Sequence, residues 1–161
     1  MADSESHHIL ENPTFSDPVK LLIVVSPYYR DIADNLVAGA TQVLEDVSAT
    51  WEIVQVPGAL EIPTAIRIAD GQANFDGFVA LGCVIRGETT HYDIVANESA
   101  RAVLRLTTDH GLAVGNGIQT VENREQALVR ARVADKNKGG GAAQAALAMV
   151  ALRARFGLTN D

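Results

Sequence analysis

The sequence predicts an α/β fold in which helices cover both faces of a four-stranded parallel sheet. Aliphatic runs of strand length alternate along the chain with longer segments whose apolar residues recur at helical spacing. The runs are apolar at consecutive positions, which is typical of parallel strands buried on both faces. The length of 161 residues fits one domain around one core, and no repeat or linker divides the chain.

The first half of the chain predicts two strand–helix units. Val19–Val25 is a continuous aliphatic run of strand length, and the apolar residues of Arg30–Val47 recur at helical spacing. Trp51–Val56 predicts a second strand, which a Pro-Gly pair ends. Ala59–Asp70 predicts a helix with Pro63 in its first turn, where proline is tolerated because no intrahelical hydrogen bond is lost.

The second half begins with two further strands. Phe78–Ile85 predicts the third strand, and a helical pattern follows from about His91 to His110. Gly111 fits the left-handed position that commonly ends a helix. Leu112–Ile118 predicts a fourth strand, which two glycines interrupt.

Two helices complete the predicted fold. Asn123 and Gln126 resemble a capping box for a helix that continues through Arg132. The Lys- and Gly-rich segment Lys136–Gly141 predicts a loop before the final helix, Ala142–Phe156. That helix is apolar almost all round, whereas a surface helix shows one apolar stripe. We therefore expect it to be buried, and in so short a chain a contact with a neighbouring subunit is the favoured interpretation.

The composition restricts the possible partners. Hydrophobic residues make up 47% of the chain, which excludes general disorder and favours self-association. The net charge of −7 argues against nucleic acid and anionic membranes as partners. No apolar run approaches the roughly 20 residues that a membrane helix needs. An anionic substrate would need a local cluster of cations, and the candidates are Arg86, Arg130, Lys136 and Lys138.

The chain ends and the single cysteine indicate the compartment. Residues 1–18 predict a polar arm, disordered alone or extended along a neighbour, and residues 19–161 predict one domain. The arm has no apolar core of a secretory signal, so we expect a cytoplasmic protein. Cys83 is the only cysteine, so no disulfide forms within the chain. Its apolar neighbours favour a small core residue over a nucleophile.

The junction after the third predicted strand is the first candidate site. A polar turn, Gly87-Glu88-Thr89, lies between that strand and a predicted helix. Ligands of α/β proteins bind at such junctions, and the N–H groups at a helix start favour an anion, above all phosphate. Gly87 permits close approach of the backbone, while Thr89 and Thr90 supply hydroxyl donors. As structure alone, the turn is an ordinary connection.

His91 begins the helix beyond that turn. A histidine that merely caps the helix or fills a gap is the ordinary alternative. The helix dipole disfavours the imidazolium at this position, and a neutral ring beside an anion suits general acid–base work. Asp93 is close enough to orient the ring or compete with it. Arg130 is an exposed charge by default, and Lys138 belongs to a flexible turn by default.

A second junction and a pair of tyrosines give further candidates. Glu61 follows the second strand, where a helix start stabilises a carboxylate or a sugar alcohol finds an acceptor. Tyr28 and Tyr29 follow the first strand, where they cover the core or stack on a flat heterocycle. No metal-ligand pattern, dinucleotide fingerprint or phosphate-loop lysine is present.

Five motifs occur in order between about Lys20 and Phe156. They are Pro57-Gly58-Ala59-Leu60-Glu61-Ile62-Pro63, Leu81-Gly82-Cys83-Val84-Ile85-Arg86-Gly87-Glu88-Thr89-Thr90-His91-Tyr92-Asp93, Asn116-Gly117-Ile118, Thr120 through Gln126-Ala127 to Arg130, and Asn137-Lys138-Gly139. Together they resemble the 6,7-dimethyl-8-ribityllumazine synthase family. Five ordered motifs are far more specific than one short pattern.

The resemblance implies a flavodoxin-like three-layer sandwich assembled as homopentamers. It implies a transferase that condenses 5-amino-6-(D-ribitylamino)uracil with 3,4-dihydroxy-2-butanone 4-phosphate in the penultimate step of riboflavin biosynthesis. No metal or organic cofactor is implied, and the partners are small-molecule substrates and further copies of the chain. The segment Arg132–Lys136 differs from the glycine-containing loop of icosahedral members, which favours a free pentamer or a decamer of two pentamers.

The resemblance also assigns site residues, with His91 as the proton-transfer group. The residues expected to hold the pyrimidine and the ribityl chain within one subunit are Tyr28, Ala59, Leu60, Glu61, Val84 and Ile85. The residues expected to form the phosphate turn are Gly87, Glu88 and Thr89. Those expected to reach in from the adjacent subunit are Asn116, Lys138 and Arg130, the last on the phosphate. Many relatives carry phenylalanine where this chain has Tyr28, and often an aromatic where it has Asn116.

Two other functions compete with this one. A non-catalytic lumazine or flavin carrier of the same fold would keep the stacking site. A carrier of unphosphorylated ligands has no need of His91, Arg130 and the phosphate turn, which argues against it. A phospho-receiver domain needs an acidic cluster at the strand ends, and the first strand here ends in Ser26-Pro27.

Overall fold

The structure, a computed structural model of the chain, describes residues 7–72 and 74–158. Four strands and five helices alternate within these residues. The strands are β1 Lys20–Val25, β2 Thr50–Gln55, β3 Gly77–Ile85 and β4 Val114–Val121. The helices are α1 Arg30–Asp46, α2 Ile62–Gln72, α3 His91–His110, α4 Arg124–Ala131 and α5 Lys138–Arg155, and a 3-10 turn, Ala59–Glu61, leads into α2.

The strands form one parallel sheet in the order β2-β1-β3-β4. Alternate side chains of β1 enter two separate cores, Leu21 and Ile23 on one face and Leu22 and Val24 on the other. The first core is completed by α1, α4 and α5, and the second by α2 and α3. The predicted α/β class, with a four-stranded parallel sheet between two helical layers, is confirmed.

The edge strand β2 differs from the other three. All of its residues except Trp51 are exposed, including Ile53 at 44% and Val54 at 39%. The sequence predicted that this strand, like the others, is covered on both faces. That prediction is wrong for β2 within a single chain. An edge strand has a neighbour on one side only, and the helices pack mainly over β3 and β4 instead.

The start of α5 also corrects a prediction. The segment Lys136–Gly141 was expected to be a loop, but α5 begins at Lys138 and contains three consecutive glycines. Asn137 caps the helix, because its side-chain oxygen accepts the N–H of Gly140 at 3.2 Å. A Cβ on Gly139 would collide with the carbonyl oxygen of Leu36, so the glycine permits α5 to pack directly on α1.

The burial of α5 also differs from the prediction, because the helix packs closely against other elements of its own chain. Its small residues allow close packing on the sheet, where a Cβ on Gly115 of β4 would collide with the carbonyl oxygen of Ala142. Most of its apolar surface is therefore buried within its own chain, and the expected subunit contact is wrong for that surface. The large apolar side chains that stay exposed towards its end are Met149, Leu152 and Phe156.

Other boundaries follow the sequence closely. α3 ends at Gly111, which has the expected positive φ of 66°. The predicted cap is present with one difference: the side chain of Asn123 accepts the N–H of Gln126 at 2.9 Å, but the Gln126 side chain accepts the N–H of Glu122, the residue before the cap, at 2.8 Å. β4 begins and ends later than predicted, because the ladder with β3 continues through both of its glycines to Val121.

The predicted arm is only partly within the described residues. Residues 1–6 lie outside them, as do residues 159–161 of the predicted domain, and residues 7–19 form no helix or strand. The boundary between arm and domain stays a prediction. Among the described helices, none combines the length and apolarity needed to cross a membrane.

Candidate active site

A cavity of about 430 Å³ opens at the carboxyl ends of β1, β2 and β3. The strand order changes direction at β1, since β2 lies on one side of it and β3 on the other. Open parallel sheets bind ligands at this kind of switch point, where the loops after the two inner strands separate. The predicted site residues that line the cavity are Tyr28, Ala59, Leu60, Glu61, Val84, Ile85 and His91.

Two tyrosines form the wall that follows β1. The rings of Tyr28 and Tyr29 pack edge to face, with their centroids 5.0 Å apart and their planes at 76°. Tyr28 is 74% exposed, so one face of its ring is open to a planar ligand. Burial, followed by the neighbouring Tyr28, raises the pKa of Tyr29, so its hydroxyl stays protonated around neutral pH.

The 3-10 turn after β2 supplies the opposite wall. Ala59 is buried and anchors the turn, while Leu60 is 43% exposed. The carboxylate of Glu61 folds back over Gly58, where a Cβ would lie 3.0 Å from its Oε2. Ser26 ties this wall to the end of β1, because its hydroxyl donates to the carbonyl of Pro57 at 3.3 Å. The result is a carboxylate acceptor on the cavity wall.

The turn between β3 and α3 forms the rim of the cavity and joins Ile85 to His91, which both line it. The predicted phosphate residues Gly87, Glu88 and Thr89 lie in this turn and are not themselves among the lining residues. Thr89 stabilises the helix start, since its Oγ1 accepts the N–H of His91 at 3.3 Å. Nothing lies within 4 Å of where a Cβ on Gly87 would be, so the backbone of the turn faces open space. An anion could therefore approach the first N–H groups of the 20-residue α3.

Arg86 is turned towards carboxylates of its own chain. Its Nε donates to Oε2 of Glu122 at 2.8 Å, and its Nη1 lies 3.5 Å from Oδ1 of Asp93. The guanidinium also lies 4.2 Å from the ring centroid of Tyr92. The hydrogen bond to Glu122 is the main cause of the raised pKa of Arg86. Asp93 thus pairs with Arg86, whereas the sequence suggested that it orients His91 or competes with it.

Three predicted site residues lie away from the cavity of their own chain. Asn116 is in the middle of β4, paired in register with Ala80, and its side chain accepts the N–H of Ile118 at 2.9 Å. Arg130 is near the end of α4 and donates to the carbonyl of Gln126 at 3.2 Å. Lys138 begins α5. None of the three is among the residues that line the cavity.

Several lining residues were not predicted as site residues. They are Ser26, Pro57, Gly58, Cys83 and Val95, while Tyr29 was a candidate only as the neighbour of Tyr28. Most of them directly follow β1 or β2, so extending the search to every strand end would have found them. Val95 lies one helical turn after His91, and the helical period identifies it as a neighbour on the same face.

Cys83 is half-buried at the cavity wall rather than enclosed in the core. Burial raises the pKa of its thiol from 9.0 to about 11, so it is a neutral thiol at neutral pH. A nucleophilic cysteine needs a lowered pKa, which supports the prediction that this cysteine is not one. Across residues 7–72 and 74–158, no group of three or more His, Cys, Asp or Glu side chains could hold a metal ion.

Comparison with known proteins adds an independent finding. Residues 18–154 match the family described as 6,7-dimethyl-8-ribityllumazine synthase. The chain is 57% identical over 145 residues to 6,7-dimethyl-8-ribityllumazine synthase 1 of Rhizobium meliloti, covering 87% of this chain and 95% of that protein. It is 56% identical to the Agrobacterium fabrum protein of that name (85% and 96% covered) and 58% identical to the one from Methylorubrum populi (83% and 82% covered).

Proposed function

Since the chain belongs to the 6,7-dimethyl-8-ribityllumazine synthase family, an enzyme family of riboflavin biosynthesis, we propose that it makes this lumazine. The substrates are 5-amino-6-(D-ribitylamino)uracil and 3,4-dihydroxy-2-butanone 4-phosphate. An amine of the first condenses with the ketone of the second to an imine with loss of one water. Phosphate is then eliminated, and attack of the second amine on the remaining carbonyl closes the ring with loss of a second water. The reaction uses no metal and no organic cofactor.

The observation that carries this proposal is the composition of one cavity. An open aromatic ring, a carboxylate and a helix start with a histidine surround the same space at the switch point of the sheet. Tyr28 stacks on the pyrimidine, and Val84 and Ile85 line its other side. Glu61 accepts hydrogen bonds from the ribityl hydroxyls, which the turn containing Ala59 and Leu60 holds in place.

The phosphorylated substrate occupies the rim. Gly87, Glu88 and Thr89 form the turn that receives its phosphate, and the amino end of α3 supplies a favourable field. His91 transfers protons between the reacting groups. Holding both reactants in contact contributes most of the rate enhancement, up to ~7–11 kcal/mol, whereas one acid–base group adds roughly 10²–10⁴-fold.

Charge supports a site that is shared between subunits. Glu88, Asp93 and Glu122 surround the turn with negative charge, and Arg86 is engaged by two of them. A phosphate therefore needs cations from outside this chain. Arg130 and Lys138 of a neighbouring subunit supply them, and Asn116 joins them on the pyrimidine side.

The assembly that brings subunits together in this way is a homopentamer, alone or paired as a decamer, in the cytoplasm. Exposed apolar side chains support such association, including Ile53 on β2, Ile68 at 63% on α2 and Leu104 at 61% on α3. Light scattering on the purified protein measures the size of the assembly, and a monomeric active enzyme would refute a shared site.

An absorbance assay tests the activity directly. The purified protein is mixed with both substrates, and formation of the lumazine is compared with the uncatalysed rate. Turnover above that rate is expected. Binding of the lumazine without any turnover would identify the protein as a carrier instead.

A further inference from the structure

Arg86 connects three parts of the fold around the rim of the cavity. It follows the last residue of β3, Asp93 is in the first turn of α3, and Glu122 follows the last residue of β4. The side chain binds both carboxylates at once, at 2.8 Å to Glu122 and 3.5 Å to Asp93. Its backbone N–H donates to the carbonyl of Val121 at 2.9 Å, which fixes the residue itself to the end of β4.

The position of Asp93 gives this cluster a consequence for anion binding. A carboxylate in the first turn of a helix is attracted to the same N–H groups and dipole that attract a bound phosphate. Asp93 is such a carboxylate, and its own N–H is already hydrogen-bonded to the carbonyl of Thr90 at 3.0 Å. A free Asp93 would therefore compete with, and repel, any anion at this turn.

We propose that Arg86 is a positioning residue that holds Asp93 and Glu122 away from the amino end of α3 and so keeps the turn Gly87–Thr89 open to an anion. The guanidinium is fixed for this task by its contact with the ring of Tyr92. Arg86 itself does not touch the ligand. The identity of the anion as a substrate phosphate rests on the function proposed above.

Arg86 as a direct anion ligand is the competing explanation, and a double substitution separates the two. Replacing Arg86 with glutamine releases Asp93, so binding of an anion should weaken by about tenfold. Adding Asp93→Asn removes the competing charge, so Arg86→Gln/Asp93→Asn should bind within about threefold of the unsubstituted protein. Asp93→Asn alone completes the comparison: it should leave the phosphate affinity nearly unchanged while Arg86 holds Asp93, whereas a direct ligand predicts that Asp93→Asn raises the affinity equally with and without Arg86.

The binding probe is inorganic phosphate, titrated by NMR while the amide signals of the turn and the first turn of α3 are followed. Arg86→Lys, which keeps the charge, should retain most of the affinity. Arg105→Gln is the matched control, because Arg105 pairs with Asp109 at the far end of the same helix. All of these ion pairs are about half exposed, so each variant should remain folded.

Two results would overturn the inference: unchanged phosphate affinity in Arg86→Gln, or no recovery on adding Asp93→Asn. Failure of the unsubstituted protein to bind phosphate at the turn would overturn it as well. The same variants are then assayed for lumazine formation. The KM for the phosphorylated substrate should rise where the phosphate affinity falls and return where the affinity recovers, while the KM for the pyrimidine stays constant. If the unsubstituted protein makes no lumazine, the proposed function fails while the titration still decides the role of Arg86.

Discussion

Gly87, in the turn before α3, has open space where its side chain would be, whereas Gly139, in the first turn of α5, lies against the backbone of α1. At Gly87 the missing side chain leaves room for a ligand. At Gly139 it leaves room for α1 to pack against α5. Substitution should therefore affect binding in the first region and folding in the second. The rim of the cavity and the α5 interface can be separated experimentally on this basis.

The largest effect is expected from Gly139→Ala. Its Cβ would collide with the carbonyl oxygen of Leu36, and α5 would have to move off α1. We expect the free energy of unfolding to fall by about 3 kcal/mol, the upper end of the typical range for overpacking a core. Urea unfolding at one protein concentration, followed by the fluorescence of Trp51, measures it.

Gly141→Ala is the matched control in the same helix, because nothing lies within 4 Å of its Cβ position. Alanine is the better helix former, so the stability should rise by up to about 1 kcal/mol. Equal loss of stability in the two variants would show that close packing is not the reason for the glycine at 139.

On the cavity side, His91→Ala should reduce kcat roughly hundredfold, because one acid–base group is lost while both substrates are still held together. Its stability should be nearly unchanged, since the side chain is exposed. Steady-state kinetics and urea unfolding on the same preparation test both statements. Turnover at the unsubstituted rate would exclude His91 from proton transfer.

Arg130→Ala should raise the KM for the phosphorylated substrate about thirtyfold, as expected for losing a hydrogen-bonded charge from an anion. Arg132→Ala is the matched control, because Arg132 follows α4 directly and has its own partner, Asp135, at 4.0 Å. A KM that moves equally in both variants would assign the effect to general charge rather than to Arg130.

Mixing the two impaired variants tests whether the site is shared. When His91→Ala and Arg130→Ala subunits are unfolded, mixed equally and reassembled, about a quarter of the interfaces in a ring should carry both intact residues. Activity should therefore exceed that of either variant alone. No gain in assemblies whose mixed composition is verified by mass spectrometry would place each site within one chain.

The smallest effect, and the sharpest contrast with Gly139, is expected from Gly87→Ala. The stability should change by less than about 0.5 kcal/mol, because the added methyl group meets no atom of the protein. The KM for the phosphorylated substrate should still rise a few-fold, because the methyl group lies where the anion approaches. A loss of stability comparable to that of Gly139→Ala would remove the distinction between the two regions.

The same contrast explains which parts of the structure the sequence could predict. The strands and most helices follow from local periodicity, and Gly111 and the Asn123 cap follow from local hydrogen bonding. The start of α5 could not be predicted this way, because three glycines in a row favour a loop unless another backbone lies against them. That backbone belongs to Leu36, about a hundred residues earlier in the chain.

The candidate site also has a part that the local sequence predicts and a part that depends on contacts between distant residues. Tyr28, Glu61 and His91 each follow a strand end, and parallel strands bring their carboxyl ends to one edge, so their convergence was predictable. The engagement of Arg86 was not, because Glu122 lies 36 residues away and no short pattern joins the two. The roles of Arg130 and Lys138 rest on the resemblance alone and stay predictions.

The position of Cys83 has a practical consequence. It is the only thiol in the chain, and it lines the same cavity as Tyr28 and Tyr29. With a thiol pKa of about 11, it reacts slowly with a small alkylating reagent near neutral pH and faster as the solution becomes alkaline. A ligand in the cavity should slow this reaction by covering the thiol. The rate of alkylation, measured by mass spectrometry, therefore reports the fraction of cavities that are free of ligand.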